Sequence, residues 1–422
     1  MYRLLANYKI SVNPRYYAIA VFLFSACFVI LLKGIIKLVG FEPVLMTDYV
    51  GIYEPVARNI LYGKGITLNG DVIATHYPPG YSLLLSFIFG FSQVFGIGEQ
   101  FIHELFIIIN VALAATTLFL IARTIWSPIL SLIPPFLWLT YPFVVWIISK
   151  PFSELPFMVA LFIGFYLFWK GLIRERSTSK THFFLSGVFM GIAMLIRPIG
   201  IGLGLILAII PLVVARSKLQ LSKRMLIPIL ILFGNLLVVL PWEMHVYSNE
   251  ERIIILGDNN LSFIVYGMTF DLESENKTTE GVRQLMSRIS SRENEMVSAK
   301  SAVKVLINEG KKYPSQLLGL IGTKLIRTWY GNNRIESVKF DLFSVVIQII
   351  YLVPIIIGTI RVFHNKGPAL TLAIGIWFIV VYFWLIIIIG IPMVRYMVPV
   401  MGLLFLLVPG IFSYNNKKMT LE

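Results

Sequence analysis

Charged side chains at the edges of long apolar segments are the residues of this sequence with the clearest capacity for chemistry. Asp48 follows the first apolar segment and Glu154 begins a later one. Arg197 and Arg395 each lie between two apolar segments. An ionisable group at membrane depth is energetically expensive and usually has a function. Because carboxylates exchange protons and guanidinium groups bind anions, we take these four residues as candidates for a functional site.

The overall composition indicates a membrane protein. Of the 422 residues, 57% are hydrophobic and 14% are charged, whereas soluble domains have about 45–50% apolar and about 25% charged residues. The formal net charge of +14 is explained by Lys and Arg beside the apolar runs, which fix membrane topology, rather than by nucleic-acid binding. Cys27 is the only cysteine, which excludes an intrachain disulfide and a cysteine-based metal site.

The apolar runs predict an all-α polytopic membrane protein, because about 20 apolar residues suffice to cross a bilayer as a helix. Two interruptions between the runs are long, residues 40–78 and 248–339. We therefore predict an N-terminal transmembrane module over 1–247 with its first outer loop at 40–78, a cap with helical patterns over 248–339, and C-terminal helices over 340–422. The sequence contains eleven apolar segments that are candidates to cross the membrane: Tyr16–Val39, Pro79–Phe95, Ile102–Ala122, Pro128–Ile148, Pro151–Trp169, Phe183–Ile196, Ile199–Ala215, Met225–Tyr247, Phe340–Val362, Pro368–Ile391 and Met393–Ser413.

Lys and Arg in the short connections predict the orientation in the membrane. They collect at the N-terminus, at 170–180, 216–224 and 361–366, and at Lys417-Lys418, which we place in the cytoplasm. The first loop and the cap then lie outside.

The number of apolar segments before Lys170 conflicts with this orientation. Five apolar segments separate the N-terminus from Lys170, although an even number of crossings is required between two cytoplasmic points. One segment therefore does not cross completely. The stretch Pro128 to Pro142 is the candidate, because each proline removes a backbone hydrogen bond and kinks a helix.

The first loop carries the pattern of a short interfacial helix. Gly63 and Gly65 end this pattern, and Asp48 stands at its start. In that position Asp48 also fits a simple cap of the helix N-terminus. Apolar or aromatic residues recur at the helical spacing typical of a helix with one face in lipid: Tyr49, Tyr53, Val56, Ala57, Ile60 and Leu61.

Six short motifs follow one another along the chain. They are Asp48 with Tyr53, Ala57 and Gly63-Lys64-Gly65; His76-Tyr77-Pro78-Pro79-Gly80-Tyr81; Ser153-Glu154-Leu155-Pro156-Phe157; a helix with Gly187 and Gly191 that ends in Arg197-Pro198; Pro241-Trp242; and Arg395-Tyr396 with Pro399. In this order the series resembles the C-type glycosyltransferase (GT-C) superfamily, specifically the branch similar to protein O-mannosyltransferases and lipid A aminoarabinose transferases. The resemblance covers most of the chain.

The resemblance implies a plasma-membrane enzyme that transfers a sugar from a polyprenyl-phosphate donor to a lipid, glycan or protein acceptor on the extracytoplasmic face. The acidic residue of the first loop is then the general base of an inverting reaction, and Asp48 matches that position. The departing prenyl phosphate would be bound by cations, with Arg395 foremost and Arg197, His76 and Lys64 as helpers. The expected substrate-binding residues are Tyr53, Tyr77, Tyr81, Glu154 and Tyr396.

Simpler interpretations of the same residues stay open. Arg395 at a helix end also fits a snorkelling interfacial anchor, and Arg197 fits a turn residue. Glu154 fits an electrostatic cap of its own helix. His76 fits a packed interfacial residue.

The sequence favours a reaction without a cofactor. The first loop has no Asp-x-Asp motif, and the five His residues are scattered, so we expect no metal ion. The main alternative function is a lipid or sugar transporter or flippase, which should show two related halves; the sequence shows none. A non-catalytic assembly subunit, or a ligase with a diphosphate-linked donor and an outer loop richer in Arg and His, are further alternatives.

Overall fold

The chain is predominantly helical in the part that a computed structural model describes. That part comprises residues 14–40, 48–70, 72–173, 179–214, 221–251, 257, 260–270, 272, 278–331, 338–365 and 367–412. Within it, the only β pairing is a single bridge between Thr67 and Ile73. The predicted all-α architecture is confirmed. Much of the basic sequence behind the predicted orientation, including 1–13, 174–178, 216–220 and Lys417-Lys418, lies outside the described residues, so the orientation stays a prediction.

Seventeen α-helices occupy the described residues. In chain order they are α1 (Pro14–Leu38), α2 (Glu54–Leu61), α3 (Gly80–Phe95), α4 (Glu99–Arg123), α5 (Ile133–Thr140), α6 (Pro142–Ile148), α7 (Glu154–Ile173), α8 (Ser179–Ile196), α9 (Leu203–Val214), α10 (Leu221–Glu250), α11 (Asn260–Thr269), α12 (Glu280–Ser290), α13 (Ala299–Lys312), α14 (Pro314–Arg327), α15 (Val338–His364), α16 (Pro368–Ile389) and α17 (Val394–Phe405).

Seven helices of the described part are long and apolar enough to cross a bilayer: α1, α4, α7, α10, α15, α16, and α17 together with the 3-10 turn Val408–Phe412. A bent pair and three shorter apolar helices account for the other predicted segments. The chain is therefore an integral membrane protein whose apolar helices coincide with the eleven segments predicted from sequence.

The proline-rich segment is broken where the sequence predicted a kink. The helical segment 130–140 and helix α6 meet at an angle of 61°, because Tyr141 is extended and Pro142 starts the next helix. Helix α15 supplies partners at the break. The Tyr351 hydroxyl donates to the carbonyl oxygen of Thr140 at 2.8 Å, and the amide of Gln348 donates to the Tyr141 hydroxyl at 2.6 Å. Whether this bent pair crosses the membrane stays a prediction.

Glycine contacts fix the position of α8, the helix that ends at the candidate residue Arg197. A Cβ on Gly187 would lie 2.0 Å from the backbone oxygen of Ile231 in α10, and one on Gly234 would lie 2.2 Å from the backbone oxygen of Phe184. The two helices therefore touch backbone to backbone, as small residues allow in membrane bundles.

The described part of the cap, which contains helices α11 to α14 and extends to Gly331, has an apolar core of its own. The cap reaches the start of α17 at two places. The ring of Phe263 packs edge-on against Tyr396, with ring centroids 5.6 Å apart, and the carbonyl oxygen of Gly331 accepts a hydrogen bond from the Val394 amide at 2.8 Å. The cap core contains Ile264, Met268, Phe270, Val282, Leu285, Met286, Ile289, Met296, Ala302, Val305 and Leu320.

Candidate functional site

Glu154 is a buried carboxylate that contacts two guanidinium groups. It starts helix α7 and is 1% exposed. Its Oε1 atom lies 2.7 Å from Nη1 of Arg197 and also contacts Nε of Arg395. A buried charge is costly unless it is paired, and here one carboxylate oxygen pairs with both cations.

Asp48 extends this arrangement toward solvent. Its side chain is 36% exposed, and its Oδ2 atom lies 3.8 Å from Nη2 of Arg395. Asp48 makes no side-chain hydrogen bond to the start of its own helix, so the capping interpretation is wrong. Asp48, Arg395, Glu154 and Arg197 therefore form a row of alternating charge, which we call the four-charge cluster.

Proline and chain breaks place the two arginines in this cluster. Helix α8 ends at Ile196, and Arg197 is extended (φ −144°, ψ 128°) because the residue before a proline avoids the helical region. Its Nη1 also donates to the Ser153 hydroxyl at 2.8 Å. Arg395 lies in the first turn of α17, after the extended residue Met393. Both guanidiniums therefore lie at helix ends that face the start of α7.

The loop helix, which starts at Asp48, places Tyr53 and its neighbouring tyrosines beside the four-charge cluster. It begins as a π-helical turn, Tyr49–Tyr53, and continues as α2. Tyr49, Tyr53, Val56 and Ala57 are buried inside the protein, so the prediction that this face lies in lipid is wrong. Gly63 and Gly65 follow with φ of +74° and +76°. Since β-carbon sterics disfavour such values for other residues, they end the helix as predicted.

Tyr53 contacts two further tyrosines. Its ring stacks on Tyr77 with centroids 5.2 Å apart and meets the edge of Tyr81 at 5.0 Å. Its hydroxyl hydrogen-bonds with Ser153, and burial raises the pKa of Tyr53 to about 12. Tyr53 is therefore a neutral hydroxyl at physiological pH. Its carbonyl oxygen accepts a hydrogen bond from the Ser82 hydroxyl at 3.1 Å, which ties the loop helix to α3.

Aromatic rings lie beside both arginines. The guanidinium carbon of Arg197 is 5.9 Å from the ring centroid of Tyr396, and that of Arg395 is 5.7 Å from Phe152. These are cation–π distances. Sequence reasoning did not single out Phe152 or the hydroxyl of Ser153 as site residues, although the Ser-Glu pair was visible as a motif.

The structure separates two predicted residues from the cluster. His76 is exposed and packs edge-on against Tyr77, with centroids 5.0 Å apart. Lys64 is exposed on the connection after α2. Tyr81, by contrast, is 1% exposed and lies beneath Tyr53. The roles assigned to all these residues stay predictions.

Metal ligands do not cluster in the part of the chain that the structure describes. No group of three or more His, Cys, Asp or Glu side chains there is arranged to hold an ion. Metal independence remains a prediction.

The helical bundle, the loop helix and the cap define a polytopic all-α membrane protein, and its fold is similar to that of solved C-type glycosyltransferases, as the sequence predicted. Among solved structures, the chain is similar to the archaeal oligosaccharyltransferase AglB from Archaeoglobus fulgidus in complex with an inhibitory peptide and a dolichol-phosphate. The identity is 13% and the TM-score 0.50, over 94% of this chain and 50% of that one. This chain therefore spans about half the length of AglB.

A second similar structure is ArnT from Cupriavidus metallidurans bound to undecaprenyl phosphate. Its identity to this chain is 14% and the TM-score is 0.43, over 93% of this chain and 76% of that one. No protein-family model and no curated protein matches this sequence. The fold likeness therefore rests on the comparison of structures and not on sequence similarity.

Proposed function

We propose that this protein is a membrane glycosyltransferase that transfers a sugar from a polyprenyl-phosphate donor to a hydroxyl acceptor. The observation that carries the proposal is the four-charge cluster, in which Glu154 and Arg197 are buried, Arg395 is half-buried and Asp48 is partly exposed. Glu154, Arg197 and Arg395 lie at the ends of the apolar helices α7, α8 and α17. The fold likeness to AglB, which was solved with a dolichol-phosphate, supports the donor class. A prenyl tail stays in lipid, so the reacting phosphate must meet protein groups at the membrane boundary, where such helix ends lie.

Asp48 is the general base in this proposal. Its carboxylate accepts the proton of the acceptor hydroxyl while that oxygen attacks the anomeric carbon of the donor. The bond between the anomeric carbon and the phosphate oxygen breaks on the opposite face, which inverts the configuration. Asp48 suits this role because its side chain is partly exposed and so can be reached by an acceptor from water.

Arg395 and Arg197 stabilise the leaving group. The departing prenyl phosphate gains negative charge in the transition state, and guanidiniums already fixed in place stabilise it without reorganising. The Arg395 side chain lies between the two carboxylates, with Nε on Glu154 and Nη2 toward Asp48. At 3.8 Å the contact with Asp48 is too long for a hydrogen bond, which leaves Nη2 available to a phosphate oxygen.

The reaction takes place on the extracytoplasmic side in this proposal. The basic connections predict that side by the positive-inside rule. The cap, whose contacts reach Tyr396 and Val394 beside Arg395, then shapes the approach of the acceptor.

The test is transfer of radiolabelled sugar from a panel of polyprenyl monophosphate sugars by purified protein in detergent. Wild type should transfer from at least one donor, and Asp48→Asn at equal folded yield should abolish transfer. Glu54→Gln, on the same loop helix but outside the four-charge cluster, is the matched control and should stay active. Unchanged activity in Asp48→Asn would refute the proposed base. If no donor supports transfer and the protein instead moves prenyl lipids across vesicles, the transporter alternative is favoured.

A further inference from the structure

The charges of the four-charge cluster cancel before any donor binds. Two guanidiniums, Arg197 and Arg395, face two carboxylates, Asp48 and Glu154. The two carboxylates differ in their surroundings. Asp48 is partly exposed, whereas Glu154 is 1% exposed and contacts both arginines. Solvent therefore screens the charge of Asp48 far more than that of Glu154.

Glu154 also fixes the orientation of both cations. It contacts Arg395 through Nε, the inner edge of that guanidinium, and Arg197 through Nη1. Ser153 shares the same Nη1 atom at 2.8 Å. A guanidinium pinned on one edge presents its remaining N–H groups in a fixed direction, which suits bidentate binding of a phosphate.

We infer that Glu154 is the positioning and specificity-determining residue of the donor site, holding both arginines and limiting the site to a phosphate headgroup of low negative charge. The inference rests on the proposed function. A sugar phosphodiester carries a single negative charge, whereas a diphosphate-linked donor carries at least one more. The unscreened charge of Glu154 opposes that additional charge, so monophosphate-linked donors are preferred.

The experiment compares inhibition by a prenyl monophosphate and a prenyl diphosphate of the same chain length, using full-length protein in detergent. The measured quantity is the ratio of the two inhibition constants, with kcat and KM for the donor sugar determined beside it. Wild type should bind the monophosphate more tightly. Glu154→Gln should shift the ratio toward the diphosphate on the order of tenfold, since one unit of buried charge is removed, and should lower kcat because both arginines are released.

Three variants separate the two roles of Glu154. Glu154→Asp keeps the negative charge but moves it away from the arginines, because its side chain is shorter. The kcat should therefore fall, while the ratio of the two inhibition constants stays near that of wild type. Ser153→Ala loosens Arg197 without changing charge and should behave in the same way. Glu99→Gln removes a carboxylate from the exposed partner Arg58 and should change neither quantity.

An unchanged ratio in folded Glu154→Gln would overturn the inference even if wild type transfers sugar. Absence of transfer by wild type would instead count against the proposed function. Should Glu154→Gln fail to fold, binding of the two inhibitors to Asp48→Asn supplies the test by calorimetry. Removing that partly screened charge should shift the ratio in the same direction by a smaller factor, and no shift there would overturn the charge argument.

Discussion

Among the clusters in the described part of the chain that place arginines beside carboxylates, two differ sharply in solvent exposure. In the first, Arg58 of the loop helix donates to Glu54 at 2.8 Å and to both oxygens of Glu99 at 3.0 and 3.2 Å. The side chains of Arg58 and Glu99 are 36% and 44% exposed. The second is the four-charge cluster, in which Glu154 is 1% and the Arg197 side chain 9% exposed.

The comparison shows that geometry alone does not mark a functional site. The contacts of Arg58 are as short as those of Arg197, yet water screens them, so they fasten the loop helix to α4 and contribute little energy. Burial makes the four-charge cluster costly to maintain, because desolvated charges must be offset by partners. Chemistry with a charged transition state benefits from such an environment.

Asp48→Asn should cause the largest loss of transfer activity. A small loss would show that the four-charge cluster is no more important for activity than the exposed cluster around Arg58. The amide keeps the shape of the side chain but cannot accept the proton, so the transfer rate should fall at least about a hundredfold. Single-turnover transfer with saturating donor gives the rate. A matched substitution in the exposed cluster, Glu54→Gln, should retain most of the wild-type rate; equal losses in both variants would indicate a structural effect.

Arg395→Lys should have the next largest effect. A lysine keeps the positive charge but cannot contact Glu154 and a phosphate through separate edges of one planar group. We expect kcat to fall on the order of tenfold to a hundredfold at equal folded yield. Steady-state kinetics with the active donor measures the change, and a Lys variant with wild-type kcat would show that only charge matters at this position.

Arg58→Lys tests whether the exposed cluster contributes little to stability and activity. Its bidentate contact with Glu99 is lost, but the pair is screened by water, so the free energy of unfolding should change by less than about 1 kcal/mol. Activity should fall by less than about threefold, in keeping with that small energy. Thermal unfolding in detergent at low and high salt checks this, and a loss as large as that of Arg395→Lys would contradict it.

The last prediction concerns the pH dependence of stability in the cap, where Lys324 is buried without an ion-pair partner among the described residues. Burial lowers the pKa of Lys324 from 10.5 to about 7. Between these values the unfolded chain binds more protons than the folded one, so stability should rise as the pH rises from about 7. The slope is at most about 1.4 kcal/mol per pH unit.

Thermal unfolding of wild type and Lys324→Met between pH 7 and pH 9 measures that dependence. The substitution removes the titrating group, so the variant should show a flatter dependence of the unfolding temperature on pH. Identical slopes for the two proteins would show that Lys324 does not titrate in this range.

Much of the fold was predictable because local patterns determine it. Apolar runs located the membrane helices. Helical spacing predicted the loop helix and its apolar face at Tyr49, Tyr53 and Val56, although not that this face packs into the protein. Such features depend on residues close together in the sequence. The bend at Tyr141 was likewise predictable from its prolines, whereas the α15 side chains that hydrogen-bond at the bend were not.

The site was predictable only as separate residues. Asp48, Glu154, Arg197 and Arg395 stood out because charge at a membrane boundary is expensive wherever it occurs. Their partners could not be assigned, since pairing depends on how distant helix ends pack. By sequence, Arg197 also fitted a turn residue, and its contact with Glu154 became visible only in the structure.

By itself, the sequence determined that this is a helical membrane protein, roughly where its apolar helices lie, and which charges lie near their ends, because each of these follows from short-range hydrophobicity and backbone sterics. The tertiary structure decided that one buried carboxylate holds two arginines while Asp48 faces solvent and Arg58 pairs elsewhere. Burial and charge pairing are properties of helices packed together, and no local pattern encodes them.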